Sequence, residues 1–188
     1  MTANRSNSSR YALFETDEGP CGVVWSAAGI VALLLPERTP EELRARALRA
    51  AGPAAEEAGA RLPAPIASLV SRVRGQFRTG DSRYDDVELD TTATGEFDRA
   101  VYAAAREIPA GQTRTYGELA RAVGKEGAAR AVGQSMGRNP WPLIVPCHRV
   151  VAAGGKMCGF SAVGGVDLKR RLLALEGVKL TPSKSTTG

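Results

Sequence analysis

The chain has one histidine and three cysteines in 188 residues. A lone imidazole, His148, rules out the usual His-rich zinc sites, and the lack of any CxxC pair argues against a structural zinc site. Cys21, Cys147 and Cys158 do not make a disulfide framework. Long apolar runs are also missing. The longest, Gly29 to Leu35, is far too short to span a bilayer. The opening MTANRSNSSR is polar and carries no apolar h-region. These absences predict a cytoplasmic protein with no metal site and no attachment to a membrane. Collagen, coiled-coil and wholly disordered readings fail on composition, since 43% of residues are hydrophobic and 24% charged.

Positive charge is unevenly spread. Residues 1–88 carry 11 basic and 12 acidic side chains, and residues 89–188 carry 14 and 8. The net charge of +5 therefore comes entirely from the second half. That asymmetry suits a polyanion partner for the second half, and equally suits an arginine-rich solvated surface.

Local patterns predict an α+β protein. Apolar runs at Ala12–Glu15, Gly22–Trp25 and Ile30–Leu35, separated by turn residues, read as an antiparallel meander. Thr39 followed by Pro40 opens a helix over EELRARALRAAG. A second helix is expected over Ala64–Gln76, and GDSRYDDVELDTT reads as a connector with a short strand. This predicts a small N-terminal α/β domain over 10–88 with an antiparallel sheet. A mainly helical, winged-helix-like domain follows over 89–180, with disordered ends at 1–9 and 181–188.

In the second half, Thr94 is expected to cap a helix carrying Phe97, Val101 and Ile108. Thr115 starts a short helix with Tyr116, Leu119, Ala120 and Val123 on its apolar face. Ala128–Gly137 forms another after a Gly-containing turn, which is a helix-turn-helix pattern. The prolines of NPWPLIVP predict extended chain there. A final helix is expected from about Val166 to Glu176, stopped by Gly177.

Pro146-Cys147-His148-Arg149-Val150 is the most informative stretch. A nucleophilic cysteine reacts as its thiolate, which a nearby imidazole or guanidinium would favour. In a regular strand His148 and Cys147 would point to opposite faces, so a shared site requires a bend. The same residues also suit a buried inert cysteine beside a core histidine. On the Ala128–Gly137 helix, Arg130, Gly133, Gln134 and Gly137 fall within one narrow arc, and Ala129, Val132 and Met136 lie opposite. Two interior glycines lower helix stability. Close approach to another backbone would account for them, whether to a neighbouring helix or to DNA, and the polar Arg130 and Gln134 favour DNA.

From Phe97 to Glu176 the chain resembles the O6-alkylguanine-DNA alkyltransferases, the methylated-DNA–protein-cysteine methyltransferases. The segments that carry the resemblance are FDRAVYAAAREIPAGQTRTYGELA, GAARAVGQSMGRNP, PLIVPCHRVV and KRRLLALEG, in the correct order. The resemblance implies irreversible, single-turnover transfer of an alkyl group from the O6 of guanine in double-stranded DNA, after base flipping, to Cys147. The resemblance leaves open whether O4-alkylthymine is a substrate as well. His148 would act as base through water and Glu176 would hold it. Tyr116 would serve the flipped base and Asn139 would brace the active-site turn. Arg130 would take the place of the extruded base, with Gly133, Gln134 and Gly137 against the groove. Pro142 would wall the pocket, the Val150 carbonyl would read the guanine amino group, and the Ser161 N–H would face O6. No cofactor is implied, because the alkyl group ends on the protein, and the expected active form is a monomer.

The loop CGFSAVGG departs from the pattern. Phe160 stands where relatives have tyrosine, and Ala162-Val163 look inserted. Two other readings compete with this one. A lesion-binding protein without chemistry would lack the cysteine, and a Cys-His hydrolase would turn over repeatedly.

Overall fold

The computed structural model describes residues 9–53, 55–59, 61–80, 83–157 and 164–178. The three expected strands form: β1 (Arg10–Phe14), β2 (Cys21–Ser26) and β3 (Gly29–Leu34) pair antiparallel in sequence order. Apolar residues alternate along them because successive side chains point to opposite faces. Tyr11, Val24, Ala32 and Leu34 pack on one face with Leu43 and Ala47 of α1 (Pro40–Ala51). Ala12, Phe14, Val23, Trp25 and Leu33 join the larger cluster on the other. A register shift at Val24/Trp25 lets Ile30 stand with Trp25 in that larger cluster. The sheet is not purely antiparallel. β4 (Glu56–Glu57) adds to β1 in parallel, giving the order β3-β2-β1-β4. Two glutamates carry no strand signal, which is why the sequence concealed this element.

Thr39 caps α1 as expected, accepting from the Glu42 N–H. The next helix, α2 (Ala64–Thr79), runs one turn beyond the predicted end and closes on Gly80 at φ +74°. A Cβ at Gly80 would lie 2.2 Å from the Leu175 carbonyl oxygen, so only glycine lets the end of α2 meet the end of the last helix. Among its described residues the connector after it supplies no strand of its own. Leu89 makes an isolated parallel bridge to Ile30.

Four helices and two short strands build the second half among the described residues. Helix α3 (Glu96–Arg106) begins later than predicted, and Gly95, not Thr94, is its N-cap. It also stops before Ile108. β5 (Arg114–Thr115) leads into α4 (Tyr116–Ala122), where Thr115 and Glu118 form a reciprocal capping box. Then follow α5 (Ala129–Gly137), β6 (Val150–Val151) and α6 (Gly165–Leu175), with β5 and β6 pairing in parallel. α4 and α5 pack together as the expected helix pair.

One hydrophobic cluster runs through both halves, from Phe14 and Val23 to Val101, Trp141 and Leu172. Backbone bonds stitch them. The Trp141 indole N–H donates to the Ile30 carbonyl at 2.7 Å, and the Leu33 N–H donates to the Pro140 carbonyl at 2.9 Å. Among the described residues no helix is long and apolar enough to cross a membrane.

Candidate active site

Residues 141–150 are all buried, and Cys147 is 9% exposed. The expected extended segment is instead a tight turn. The Val145 N–H donates to the Trp141 carbonyl at 2.7 Å, and Leu143 sits at φ +72°, the sole described non-glycine residue with positive φ. Proline at 142 and 146 restricts the chain but does not force extension; packing of Trp141, Leu143 and Ile144 into the core decides it. Asn139 ties this turn together. Its Nδ2 donates to the Val145 carbonyl at 2.9 Å and its Oδ1 accepts from the Trp141 N–H at 3.0 Å. It is not the helix cap, since Arg138 holds that position.

The bend that Cys147 and His148 require is present. Cys147–Arg149 is a single 3-10 turn, with the Arg149 N–H donating to the Pro146 carbonyl and the Val150 N–H to the Cys147 carbonyl. His148 Nε2 lies 2.8 Å from Glu176 Oε1, and both side chains are fully buried. A carboxylate only accepts, so Nε2 carries the proton and Nδ1 holds the basic lone pair. Nδ1 is buried and has no hydrogen-bond partner among the described residues. Glu176 is therefore not a solvated helix end. Arg149 grips it with Nε to Oε2 at 2.9 Å and Nη2 to Oε1 at 2.8 Å, while Arg149 Nη1 donates to the Ile108 carbonyl at 2.7 Å.

These contacts set the protonation states. Burial works to raise the Glu176 pKa, but the hydrogen bonds and charge of His148 and Arg149 outweigh it and bring it to about 2. Burial pushes the His148 pKa down despite Glu176, and pushes the Cys147 thiol up. The resting pair is thus neutral thiol and neutral imidazole. Arg149 does not serve the thiolate as the sequence suggested, because its guanidinium is spent on Glu176. The groups that favour the thiolate are Asn139, Lys169 and the backbone N–H groups of Cys147 and His148. Lys169 is fully buried on α6 and donates to the Val150 carbonyl at 2.6 Å.

This geometry stands beside clear similarities to known proteins. Residues 96–178 match the family described as 6-O-methylguanine DNA methyltransferase, DNA binding domain. The methylated-DNA–protein-cysteine methyltransferase of Mycolicibacterium paratuberculosis is 46% identical over 114 residues, covering 61% of this chain and 67% of that one. Its counterpart in Methanosarcina acetivorans is 47% identical over 107 residues, 57% of this chain and 67% of that one. The crystal structure of Mycobacterium tuberculosis O6-methylguanine methyltransferase superposes with a TM-score of 0.71 at 34% identity, covering 94% of this chain and 96% of that one. The chain belongs to the methylated-DNA–protein-cysteine methyltransferase family. A structure of the Mycobacterium tuberculosis protein in complex with DNA is similar too, with a TM-score of 0.70, 33% identity, and 89% and 92% of the two chains covered.

The remaining candidates of this family member fall in two places. Arg130, Gln134 and Gly137 are exposed on α5, with Gly133 half-buried beside them, while Val132 and Met136 are buried opposite. A Cβ at Gly133 would meet the Tyr116 ring at 3.9 Å, and one at Gly137 would meet nothing within 4 Å. Neither glycine is required by packing inside the protein. Tyr116, at the first position of α4, joins the two helices at that contact. Pro142 is buried within the turn that precedes Cys147, and the Val150 carbonyl already holds the Lys169 ammonium. Ser161, with Cys158, Phe160 and Ala162-Val163, lies outside the described residues.

Sequence reasoning missed Arg149 as the partner of Glu176, Lys169 as the buried cation, and Gln76 and Tyr84 behind them. Gln76 alone left a readable signal, a polar residue in the buried register of Ile66, Leu69, Val70 and Val73 on α2. Nothing in the local sequence pairs Arg149 with a carboxylate 27 positions away.

Proposed function

We propose that this protein repairs DNA by direct reversal, taking an alkyl group from the O6 of guanine in a duplex and keeping it on Cys147. The observation that carries the reading is the 3-10 turn that sets Cys147 beside a histidine clasped to a buried, ionised Glu176. His148 Nδ1 accepts the thiol proton through a bridging water. The thiolate attacks the alkyl carbon in line, the carbon–O6 bond breaks, and its electron pair leaves with guanine. Tyr116 donates a hydrogen bond to the leaving base. Glu176 stabilises the imidazolium that forms, as an ionised partner does in other proton relays. The thioether is stable, so each molecule acts once, and O4-alkylthymine would react by the same displacement.

Duplex recognition is assigned to α5. Base flipping is needed because the target carbon is inaccessible within a stacked duplex. Arg130 fills the gap left by the base, while Gly133, Gln134 and Gly137 let the helix backbone lie close to the groove. Asn139 holds the active-site turn, Pro142 shapes its wall, and the Val150 carbonyl and Ser161 N–H read the guanine edge. In this scheme residues 10–88 are the scaffold, residues 89–180 bind DNA and react, and one chain suffices.

Intact mass after incubation with duplex DNA holding O6-methylguanine tests the reading. One methyl group, located on Cys147, is expected. Methyl on Cys21 or Cys158, or several turnovers per molecule, would overturn it.

A further inference from the structure

The carboxylate that holds His148 has a third partner, and it comes from the N-terminal half. Gln76 of α2 is completely buried, with Nε2 3.4 Å from Glu176 Oε1. Its Oε1 accepts from the Tyr84 hydroxyl at 2.7 Å. The position belongs to the apolar face of α2, where Ile66, Leu69, Val70, Val73 and Phe77 are buried, and a leucine would serve packing there. A buried amide destabilises the fold unless its groups are bonded.

The amide can face only one way. Turned over, it would set its carbonyl oxygen against an ionised carboxylate. The carboxylate therefore draws Nε2, and the Tyr84 hydroxyl must donate to Oε1. Tyr84 is itself held, since its carbonyl accepts from Arg106 Nη2 of α3 at 2.7 Å. Gly80 lets the end of α2 lie directly against the Leu175 carbonyl, where a Cβ would clash at 2.2 Å. Oε1 thus receives His148, Arg149 and Gln76, and the carboxylate is fixed from both halves of the molecule.

We propose that Gln76 and Tyr84 are positioning residues for alkyl transfer, a relay through which the N-terminal half fixes the Glu176 carboxylate in the plane of the His148 N–H. The proposal rests on the reading of Cys147, His148 and Glu176 given above. It gives residues 10–88 a part in the chemistry in addition to support. The charged or titratable groups around the relay are Glu176, His148 and Arg149, the buried Lys169, Arg106 on the Tyr84 carbonyl, Arg72, whose guanidinium lies over the Tyr84 ring, and Cys21.

The test measures single-turnover transfer from O6-methylguanine duplex by the full chain, from pH 6 to pH 8.5, with duplex affinity measured alongside. Outer partners that orient metal ligands without touching the substrate typically change activity by ~10-fold or more, and Gln76 stands in the same relation to Glu176. Gln76→Leu is expected to slow transfer by ~10-fold and Tyr84→Phe by ~3-fold, with duplex affinity unchanged. Gln76→Glu is the decisive variant. Ionised, it repels Glu176, so transfer at pH 8 should be slower than in Gln76→Leu. Protonated, it donates to Glu176 as the amide does, so its rate should recover as pH falls. The wild-type rate should stay nearly level over the same range, because burial keeps His148 neutral there. A purely structural role predicts the same slope in both.

A Gln76→Glu profile parallel to wild type, or rates within twofold of wild type in all three variants, would overturn the relay. His148→Ala run alongside separates the two levels. If it is slow while the Gln76 variants are not, only the relay fails; if it reacts at the wild-type rate, the underlying triad fails and the relay with it. Tyr84→Phe keeps every buried carbon, so it decides the matter should Gln76→Leu not fold.

Discussion

The turn at Cys147–Val151 and the helix α5 are close in sequence and opposite in physical character. Every residue from Trp141 to Val150 is buried, and Glu176 and Arg149 beside them have all their charge engaged. On α5, the Arg130 and Gln134 side chains are exposed and make no hydrogen bond or ion pair among the described residues. The difference follows from the two tasks. A displacement at carbon needs a desolvated nucleophile and a base of fixed orientation, which packing supplies. Recognition of a duplex needs donors left open and a backbone that can come close. Perturbing the turn should therefore change reaction with duplex and free base alike, whereas perturbing the helix should change only the duplex reaction.

The largest effect expected is from Cys147→Ser. Transfer should vanish for both substrates while duplex affinity and folding persist, as read by intact mass and band shift. Any residual methylation of the protein would break the contrast at its root. Next is Gly137→Leu on the open face of α5. Leucine is a better helix former than glycine, so stability should not fall. Duplex binding should be lost by steric exclusion, and reaction with free O6-alkylguanine base should continue. A variant that loses both reactions would show that the helix shapes the pocket.

His148→Ala comes third. Loss of a general base lowers rates by roughly 10²-fold or more, and here duplex and free base should suffer equally. Glu176→Gln should act in the same direction less severely. Arg130→Ala should be milder. Its single-turnover rate on duplex should drop while the free-base rate holds, because only the duplex leaves a gap to fill. Equal slowing on both would move Arg130 from recognition to organisation of the site.

The smallest effect is on stability. His148 has its pKa lowered in the folded state, chiefly by burial. The unfolded chain then binds a proton that the folded chain does not, so stability is fully present above the ordinary histidine range and falls as pH drops through pH 6.5. Because His148 is the only histidine, His148→Gln should flatten the unfolding free energy between pH 7 and pH 5. Loss from Glu176 sets in lower, as pH falls from 4.5 toward about 2. An unchanged slope in His148→Gln would mean that the imidazole is not held neutral.

Much of this was readable in the chain. The meander of β1–β3 follows from period-two alternation, and α1 from Thr39 with Pro40. The α4–α5 pair follows from helical spacing broken by glycines. PCHRV after ARAVG marked Cys147 and His148, and the arc of Arg130, Gly133, Gln134 and Gly137 could be drawn on a helical wheel. These are local regularities, and local sequence determines them because propensity, capping and periodicity act over a few residues.

What only the tertiary structure decided lies between distant segments. β4 forms because β1 offers an open edge, not because two glutamates favour a strand. The segment before Cys147 bends because Trp141 and Leu143 are drawn into the core, against the extension that its prolines suggest. Arg149 could be read as a helper of the thiolate until Glu176, 27 positions on, claimed it. Gln76 reaches Glu176 across 100 positions. Hydrogen bonds of that kind depend on which helix ends meet, and here a bare glycine at the end of α2 lets them meet. The residue types that react were written in the chain; their protonation states and orientations were set by burial and by partners that only folding brings within 3–4 Å.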